Sequence, residues 1–299
     1  MLREIPCAVC KASGNFTILY PKNFQPDSFT REIFSARRKP DRVHYQIVRC
    51  RRCGLVYSNP ILAAENIHEL YHQSHFTYQD KIEDLNRTYG SYLQRTLPYA
   101  GGRERLLEIG CGNGFFLAHA KTLGVANVYG VEPSTEAVAQ AEPELRPRIT
   151  QSVFQTGLFP SGHFNLICAF QVLDHVVDPN RFLRLCYDYL KPGGAMLCIC
   201  HNISAMMAKL LGEKCPMIDI EHIYLFNRQT LPRIYQQNGF RLASVFAVKN
   251  TYPLSYWLSL LPVPGGMRRV LTAGLSKLGL LERRLTLRAG NQGIIAVKP

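Results

Sequence analysis

The chain has 299 residues, 46% hydrophobic and 19% charged, and carries a formal net charge of +13 at pH 7. This balance is typical of a globular protein with a sizeable core and excludes an intrinsically disordered chain. No apolar run reaches the roughly 18 residues that a membrane-spanning helix needs, and the first residues lack the apolar segment of a secretory signal, so we expect a cytoplasmic protein.

The basic charge is concentrated at the two ends of the chain. Residues 1–60 hold eleven Lys/Arg against four Asp/Glu, and residues 262–299 hold seven against one. Such ends attract the phosphates of RNA, of a nucleotide-linked substrate or of anionic lipid, or they are a solvated surface without a partner.

Two cysteine pairs mark the N-terminal 60 residues. Cys7 and Cys10 form the first Cys-x-x-Cys pair. Cys50 and Cys53 form the second. Two residues between thiolates let both reach one metal ion, and four sulfurs complete the tetrahedral coordination of Zn²⁺. We expect a zinc-binding ribbon module at 1–60 with an insertion at 24–42, because the pairs lie further apart than is usual. A redox pair or a chance spacing are the alternatives.

The rest of the chain divides into a helical cap or linker at 61–100 and a long third segment at 101–299. Within the third segment, strand-like and helix-like runs alternate, which predicts βαβ units and a doubly wound, mainly parallel α/β sheet. The predicted strands cover 105–109, 127–131, 164–170, 195–200, 240–248 and 293–297, and the predicted helices cover 115–123, a run from 134, and 179–190.

An insertion at 249–289 separates the last two predicted strands, where the fold needs only a short connection. It holds an aromatic and aliphatic group, and residues 267–281 can form an amphipathic helix. A substrate lid and a contact with a membrane surface are the functional interpretations. We favour the third, a helical pair packed on the core. The group consists of Tyr252, Tyr256, Trp257 and Leu260, and the helix carries Arg268, Arg269 and Lys277.

A glycine loop follows the first strand of the third segment. Gly110, Gly112 and Gly114 lack side chains, so backbone N–H groups can approach a ligand at the start of the next helix. Glu132 ends the second strand, where a carboxylate can accept hydrogen bonds from both hydroxyls of a ribose. The pattern predicts a site for an adenosine-type cofactor. The third glycine comes one residue early for a dinucleotide fingerprint, and position 115 is Phe, which disfavours a pyrophosphate.

Five ordered motifs resemble those of class I S-adenosylmethionine-dependent methyltransferases. The resemblance covers about residues 100–248 and implies a seven-stranded Rossmann-like sheet with S-adenosylmethionine as methyl donor. The motifs are 108–114 (EIGCGNG), 131–134 (VEPS), 157–167 (GLFPSGHFNLI), 170–176 (FQVLDHV) and 190–194 (LKPGG).

The same resemblance implies roles for single residues. The three glycines would pass the methionine portion, Glu108 would lie below the loop, Glu132 would hold the ribose, and Gln171 would lie near cofactor and substrate. The acid that often binds the adenine amine is missing here, so Ser152 or a backbone group is expected to replace it. An aromatic group in the helical cap is expected to cover the cofactor; its members are Tyr71, Phe76 and Tyr78.

Two histidines are candidate catalytic bases, since methyl transfer needs a nucleophile held in line and can need a base for its proton. His175 follows the fourth strand. His222 lies in 219–226 (DIEHIYLF), which resembles a segment forming part of the substrate mouth in bacterial methyltransferases that act on small molecules and sugars. The alternatives are two hydrogen-bonded packing residues and a reaction driven by proximity alone.

The acceptor is predicted from residues 50–60 (CRRCGLVYSNP), which resemble zinc-ribbon methyltransferases found among bacterial sugar and surface-polysaccharide enzymes. This implies methylation of an oxygen, or less readily of nitrogen or carbon, on a sugar or glycan-linked small molecule. The rival enzyme is an RNA methyltransferase whose zinc module and basic ends bind phosphates, with steep salt dependence. A regulatory protein that binds the cofactor without catalysis is the alternative from another class.

Overall fold

The computed structural model describes residues 2–24, 42–74, 79–260, 263 and 265–299. Most of the predicted ribbon insertion, and Phe76 and Tyr78 of the predicted cofactor cover, lie outside the described residues. No helix in the part described has the length and apolar character needed to cross a bilayer.

The strands and helices follow one another along the chain as the alternating pattern predicts. The strands are β1 (Leu2–Arg3), β2 (Phe16–Tyr20), β3 (Ile47–Cys50), β4 (Val56–Ser58), β5 (Ile61–Leu62), β6 (Arg105–Ile109), β7 (Asn127–Glu132), β8 (Ile149–Gln151), β9 (Phe164–Phe170), β10 (Leu190–His201), β11 (Tyr224–Leu225), β12 (Arg241–Ala247), β13 (Asn250–Pro253), β14 (Arg284–Leu287) and β15 (Asn291–Val297). The α-helices are α1 (Ala64–His72), α2 (Ile82–Thr96), α3 (Phe115–Thr122), α4 (Thr135–Ala139), α5 (Pro179–Tyr189), α6 (Met206–Leu211), α7 (Thr230–Gln236), α8 (Leu254–Ser259) and α9 (Gly265–Lys277).

A seven-stranded sheet forms the centre, in the order β12-β15-β10-β9-β6-β7-β8. The pairs β6–β7, β6–β9, β7–β8 and β9–β10 are parallel, whereas β15 runs antiparallel between β10 and β12. The prediction of a mainly parallel, Rossmann-like sheet is confirmed. The chain moves outward from β6 to β8 and then returns to β9, so the carboxyl ends of β6 and β9 border the crevice where such sheets bind ligands.

Successive side chains of the strands point to opposite faces of the sheet. Both faces are covered by other elements. Leu106 belongs to the apolar cluster that contains Phe116 of α3, together with residues of α2. Its neighbour Leu107 belongs to the opposite cluster, which contains Phe182 of α5 and Ile234 of α7. The fold is therefore a three-layer arrangement that leaves the ends of the strands open.

The N-terminal segment forms a second sheet, in the order β11-β4-β3-β2. Its strand β11 comes from the third segment of the chain. Tyr224 and Leu225 of β11 pair with Tyr57 and Val56 of β4. The backbone N–H of Ser58 donates to the carbonyl of Ile223 over 2.8 Å. The cysteine-bearing segment is thus joined by backbone pairing to the loop that carries His222.

The insertion between β12 and β15 begins with β13 and ends with β14. These two strands pair antiparallel, and α8 and α9 lie between them in the chain. In α8 Leu258 is buried, whereas α9 buries none of its residues. The expectation of a helical pair packed on the core therefore holds for α8 and is wrong for α9. Arg284 of β14 links this strand pair to α2, because its Nε donates a hydrogen bond to Asp84 over 2.8 Å.

Candidate active site

A cavity of about 700 Å³ opens at the carboxyl edge of the central sheet. The last residues of four parallel strands line it: Ile109 of β6, Glu132 of β7, Phe170 of β9 and His201 of β10. This size is within the range of pockets that hold small molecules. The cavity is the place where the topology of the sheet predicts a ligand.

Glycines shape one end of the cavity. Gly110, Gly112 and Gly114 have φ of +70°, +55° and +80°, a region that residues with a Cβ rarely adopt. Gly110 and Gly112 line the cavity. Gly114 caps α3, and a Cβ there would lie 3.1 Å from Ile149. The structure thus places two of the predicted cofactor-binding glycines at the cavity and the third against the neighbouring core.

The Glu132 carboxylate, at the end of β7, forms a hydrogen bond with the glycine loop. Its Oε2 accepts a hydrogen bond from the N–H of Gly112 over 2.8 Å, and its Oε1 accepts one from Ser134 over 2.9 Å. Burial raises the pKa of Glu132, and these two N–H groups act against the rise. A carboxylate has about four lone-pair positions, so two remain for hydroxyl groups of a ligand in the cavity.

Glu108 places a second carboxyl group at the same end. It is buried and lines the cavity, and its Oε2 has no hydrogen-bond partner among the described residues. Burial, followed by the charge of Glu132, raises the pKa of Glu108 well above its ordinary value. A ligand with a positive charge would relieve this pair, as the ammonium and sulfonium groups of S-adenosylmethionine would. The residues present therefore fit that cofactor.

Gln171 holds a strained backbone just past β9. Its φ is +56°, and its N–H donates to the carbonyl of Ile199 over 2.7 Å. The side-chain Oε1 is buried and has no partner within the described chain, and the residue lines the cavity. Strain of this kind persists where the surroundings enforce it and is frequent at functional sites.

Ser152 is not among the residues that line the cavity. Its hydroxyl donates to the carbonyl of Val153 over 2.9 Å, while Val153, Phe154 and Gln155 line the wall. The replacement of the adenine-binding acid by Ser152 stays a prediction.

Three histidines meet at the other end of the cavity. The ring centroid of His222 lies 4.8 Å from that of His175 and 4.4 Å from that of His201. The two predicted bases are thus brought together, and their catalytic roles stay predictions. The motifs leave His201 out. Its position as the last residue of a strand at the ligand-binding edge is the signal that could have identified it.

Asp174 is the hub of this cluster. It is fully buried, and its Oδ2 accepts hydrogen bonds from Nδ1 of His201 over 2.6 Å and from the backbone N–H of the same residue over 3.0 Å. Its own carbonyl accepts from the N–H groups of Ile223 and Tyr224. Burial alone would raise the pKa of Asp174, but His201, with the two other histidines, holds it below its ordinary value.

Burial determines the charge of two rings in the cluster. Burial lowers the pKa of His175 to about 4, against the opposing charge of Asp174, and it lowers the pKa of His222 well below its ordinary value. Both rings are therefore neutral near pH 7. The hydroxyl of Tyr71 in α1 lies 2.8 Å from Nδ1 of His175, and burial raises the pKa of this phenol, so it keeps its proton.

The insertion supplies the outer wall of the cavity. Tyr252, Tyr256, Trp257 and Leu260 all line it, and Trp257 donates its indole N–H to the carbonyl of Leu285 over 3.0 Å. The group singled out in the sequence is thus part of the site.

The four paired cysteines converge at a separate place. All four sulfurs lie within 4.8 Å of one another. The Cys7–Cys53 and Cys10–Cys50 sulfurs are 3.4 Å apart, well beyond the roughly 2.05 Å of a disulfide.

The two cysteine turns have matching backbones. Lys11 donates its N–H to the carbonyl of Cys7, and Gly54 donates to that of Cys50, at 2.9 and 3.0 Å. Both donors have positive φ, +61° and +77°. Burial alone would raise the pKa of Cys50, yet backbone N–H groups, that of Cys53 foremost, bring it down to about 7. Two equivalent turns facing each other are the arrangement that tetrahedral thiolate coordination requires.

Comparison with known proteins agrees with this geometry. A family model described as "Methyltransferase domain" matches residues 81–245. In solved structures, the YcgJ protein of Bacillus subtilis has a TM-score of 0.50 at 16% identity, covering 71% of this chain and 98% of that one. This likeness shows the fold alone.

Curated relatives include the ubiquinone biosynthesis O-methyltransferase of Caulobacter vibrioides, 37% identical over 100 residues, and the mitochondrial one of Homo sapiens, 26% identical over 169 residues. These matches cover 30% and 51% of this chain, and the chain spans 38% and 46% of the two relatives. The family model covers more than half of the chain, and the motifs, the sheet and the cavity agree with it. The chain therefore belongs to the methyltransferase domain family, and with it to the class I S-adenosylmethionine-dependent methyltransferases.

Proposed function

We propose that this protein transfers a methyl group from S-adenosylmethionine to a hydroxyl oxygen of a small acceptor. One observation carries the proposal: a single cavity contains the glycine loop and Glu132 as well as Tyr71 and the three histidines. Donor and acceptor would thus share one enclosed space, which is the main requirement of the reaction. The relatives that are named O-methyltransferases support oxygen as the attacked atom.

Each part of the cavity has a task in this reaction. The cofactor supplies a methyl group that its positively charged sulfonium has already activated. Glu132 binds the ribose hydroxyls, and Glu108 balances positive charge. The aromatic wall from the insertion excludes water. His175 or His222, neutral near pH 7, accepts the proton of the acceptor hydroxyl. Tyr71 fixes the orientation of the His175 ring through their hydrogen bond.

The acceptor that we propose is a sugar or a glycan-linked molecule. Polar side chains of Asp219, Asn250 and Asn291 line the cavity together with the ring of Tyr252. Polar groups can bind the hydroxyls of a sugar while an aromatic ring covers its apolar face. The names of the curated relatives point instead to a ubiquinone precursor, which is the competing small acceptor.

A labelled-methyl assay tests the reaction and its acceptor together. The protein is incubated with S-adenosylmethionine carrying a carbon-13 methyl group and with cell extract divided into small-molecule, lipid-glycan, quinone-precursor and RNA pools. We expect a methyl ether in a sugar-containing pool, identified by its carbon chemical shift. Label in a quinone precursor would overturn the sugar acceptor alone. Label in RNA alone, or on nitrogen or carbon, would overturn methyl transfer to a small hydroxyl acceptor.

For the four cysteines, Cys7, Cys10, Cys50 and Cys53, we propose a structural Zn²⁺ ion. Their convergence and their matching turns support it. With it we propose the division of the chain into a zinc module at 1–60, a cap at 61–100 and a methyltransferase domain at 101–299 with the insertion at 249–289.

For α9 we propose contact with an anionic lipid bilayer. Its exposed apolar residues recur at helical spacing on one face: Met267, Val270, Leu271 and Leu278, the last just beyond its end. The helix sequence holds three Lys/Arg and no Asp/Glu. An apolar face bordered by positive charge is what binding to anionic lipid requires.

A further inference from the structure

The histidine cluster contains a second set of side chains with the composition of a metal site. Asp174, His201 and His222 place one carboxylate oxygen and two ring nitrogens within 4.8 Å of one another. The three residues come from separate segments: the loop after β9, the end of β10 and the loop before β11. Two imidazoles and a carboxylate form a ligand set that divalent transition metals favour.

Two atoms of this set are buried without a hydrogen-bond partner among the described residues. They are Oδ1 of Asp174 and Nδ1 of His222. Asp174 is fully buried and His222 is 8% exposed. Leaving a buried polar atom without a hydrogen-bond partner is unfavourable. A single cation between them would satisfy both atoms, which no neighbouring side chain does in the part of the chain described.

The charge around the cavity also favours a cation. Among the described lining residues are five carboxyl side chains and two guanidinium groups, and no lysine. Asp219 and Glu221, in the segment that carries His222, are both buried and belong to this set. The negative charge of these side chains makes the electrostatic environment of the cavity more favourable for a cation.

We propose that Asp174, His201 and His222 bind a divalent transition-metal ion at the floor of the cavity. When Nδ1 of His201 binds the ion, the proton of that ring moves from Nδ1, where it is donated to Oδ2 of Asp174, to Nε2. His201 and His222 line the cavity, so the remaining coordination positions face the acceptor. In the metal-bound form His222 is a ligand, so His175 is the ring that accepts the proton of the acceptor. Binding of an acceptor hydroxyl to this ion rests on the proposed function, whereas binding of the ion itself does not.

Cobalt titration of the full-length protein tests the site. The protein is first loaded with zinc and its zinc content measured, and Co²⁺ is then added and followed by visible absorption and calorimetry. We expect one further equivalent of metal, with cobalt d–d bands, no thiolate-to-cobalt charge-transfer band and no loss of the bound zinc. In proton NMR of the cobalt form, two strongly shifted, exchangeable imidazole resonances identify two histidine ligands.

Three variants locate the ion. Asp174→Asn and His222→Gln are each expected to weaken Co²⁺ binding at least about tenfold, the scale seen when a metal site loses supporting groups. His163→Gln is the matched control, because His163 lies at the opposite edge of the sheet beside Arg105, and it should leave the Co²⁺ affinity unchanged. Calorimetry with S-adenosylhomocysteine shows that each variant remains folded.

The outcomes separate this proposal from the proposed function. Absence of a second equivalent of Co²⁺ in the wild type, or a cobalt form without shifted imidazole resonances, would overturn the metal site. So would a second equivalent that both variants retain in full. If the variants do not fold, the wild-type stoichiometry and the imidazole resonances still decide. A failure to bind S-adenosylhomocysteine would count against the proposed function and not against the ion.

Discussion

The Glu132 carboxylate has two tasks that compete for its lone pairs. It holds the N–H groups of Gly112 and Ser134, and it faces the cavity at the end of β7. The two backbone bonds fix its orientation, so its remaining lone pairs are directed before any ligand arrives. Preorganisation of this kind lowers the ordering cost of binding.

Replacing Glu132 with Gln should weaken the donor site. The amide presents an N–H₂ group to one of the two backbone N–H donors, so the loop loses a hydrogen bond and the ribose loses an acceptor. We expect the affinity for S-adenosylhomocysteine, measured by calorimetry, to fall at least about tenfold, or about 1.4 kcal/mol. Glu144→Gln, on an exposed stretch after α4, is the control. An unchanged affinity in the Glu132 variant would show that the ribose is held elsewhere.

Tyr71 and His175 form the second residue-scale feature. Among the described residues, the Tyr71 phenol forms the hydrogen bond with the His175 ring, and it comes from α1, a helix far earlier in the chain. Both residues are half-buried in the cavity wall, and the orientation of the ring depends on this contact.

Tyr71→Phe removes one oxygen and should affect turnover without affecting the donor. We expect kcat with the identified acceptor to fall about 10- to 100-fold, less than the roughly 100- to 10,000-fold contribution of an acid–base group itself, because Tyr71 positions the base. The affinity for S-adenosylhomocysteine should stay constant. Tyr99→Phe, at a tyrosine that is 44% exposed, serves as the control. A parallel loss of donor affinity would instead indicate that Tyr71 only supports the fold.

At the scale of elements, α9 differs from every other helix in the described chain that exceeds ten residues, since it buries none of its side chains. A helix of this kind is stable only with a partner or with strong local propensity. Its basic and apolar composition is suited to a lipid surface.

A double substitution tests this surface. Val270 and Leu278 are 73% and 70% exposed, so changing both to Ser should not disturb the core. We expect co-sedimentation with phosphatidylglycerol vesicles in the wild type, a loss of at least about fivefold in the Ser variant, and little binding to phosphatidylcholine. Ile18→Ser on β2, where Ile18 is 56% exposed, is the control. Equal binding of the three proteins would contradict the role of α9.

Local sequence patterns predict some of the strands and helices and miss others. The strands that border the cavity follow from runs of buried residues, and Ser134 caps α4 as its type predicts. β8 has three residues, too few for a periodic signal. β10 begins at Leu190, earlier than predicted, because the turn before residue 195 lies within it, with a register shift.

The sequence predicts the parts of the site whose residues lie close together in the chain. It does not predict the contacts between residues that meet only in the folded protein. The glycine loop and Glu132 belong to adjacent strands of one βαβ unit, so motif spacing is sufficient. His201 meets Asp174 only because β9 and β10 pair in register, with Ile199 opposite Phe170. The partner of His175 comes from α1, about a hundred residues earlier. No short pattern contains such contacts.

At the scale of the whole molecule, the two ends of the cavity have different supports. The donor end is built from β6, β7 and the glycine loop of the central sheet. The acceptor end depends on the His222 loop, which is held by the cysteine-bearing sheet through β4 and through the hydrogen bond from the Ser58 hydroxyl to the carbonyl of His222.

Loss of the proposed N-terminal zinc ion should therefore affect the two ends unequally. In Cys53→Ser we expect one equivalent of zinc to be lost, as measured by mass spectrometry of metal content. Methyl transfer should fall at least about tenfold, while the affinity for S-adenosylhomocysteine changes less than about threefold. Cys215→Ser, at a buried cysteine outside the pairs, is the control. Equal losses at both ends would show that the ribbon supports the whole fold instead.

The two-residue pairing of β11 with β4 limits how the chain can change in length. One residue added between His222 and Tyr224 would move His222 away from the paired strand, so Ser58 could no longer bond the carbonyls of both His222 and Ile223. Substitutions on the outer surface of the ribbon have no such effect. In an evolving lineage this joint would accept exchanges of residue type but neither insertions nor deletions.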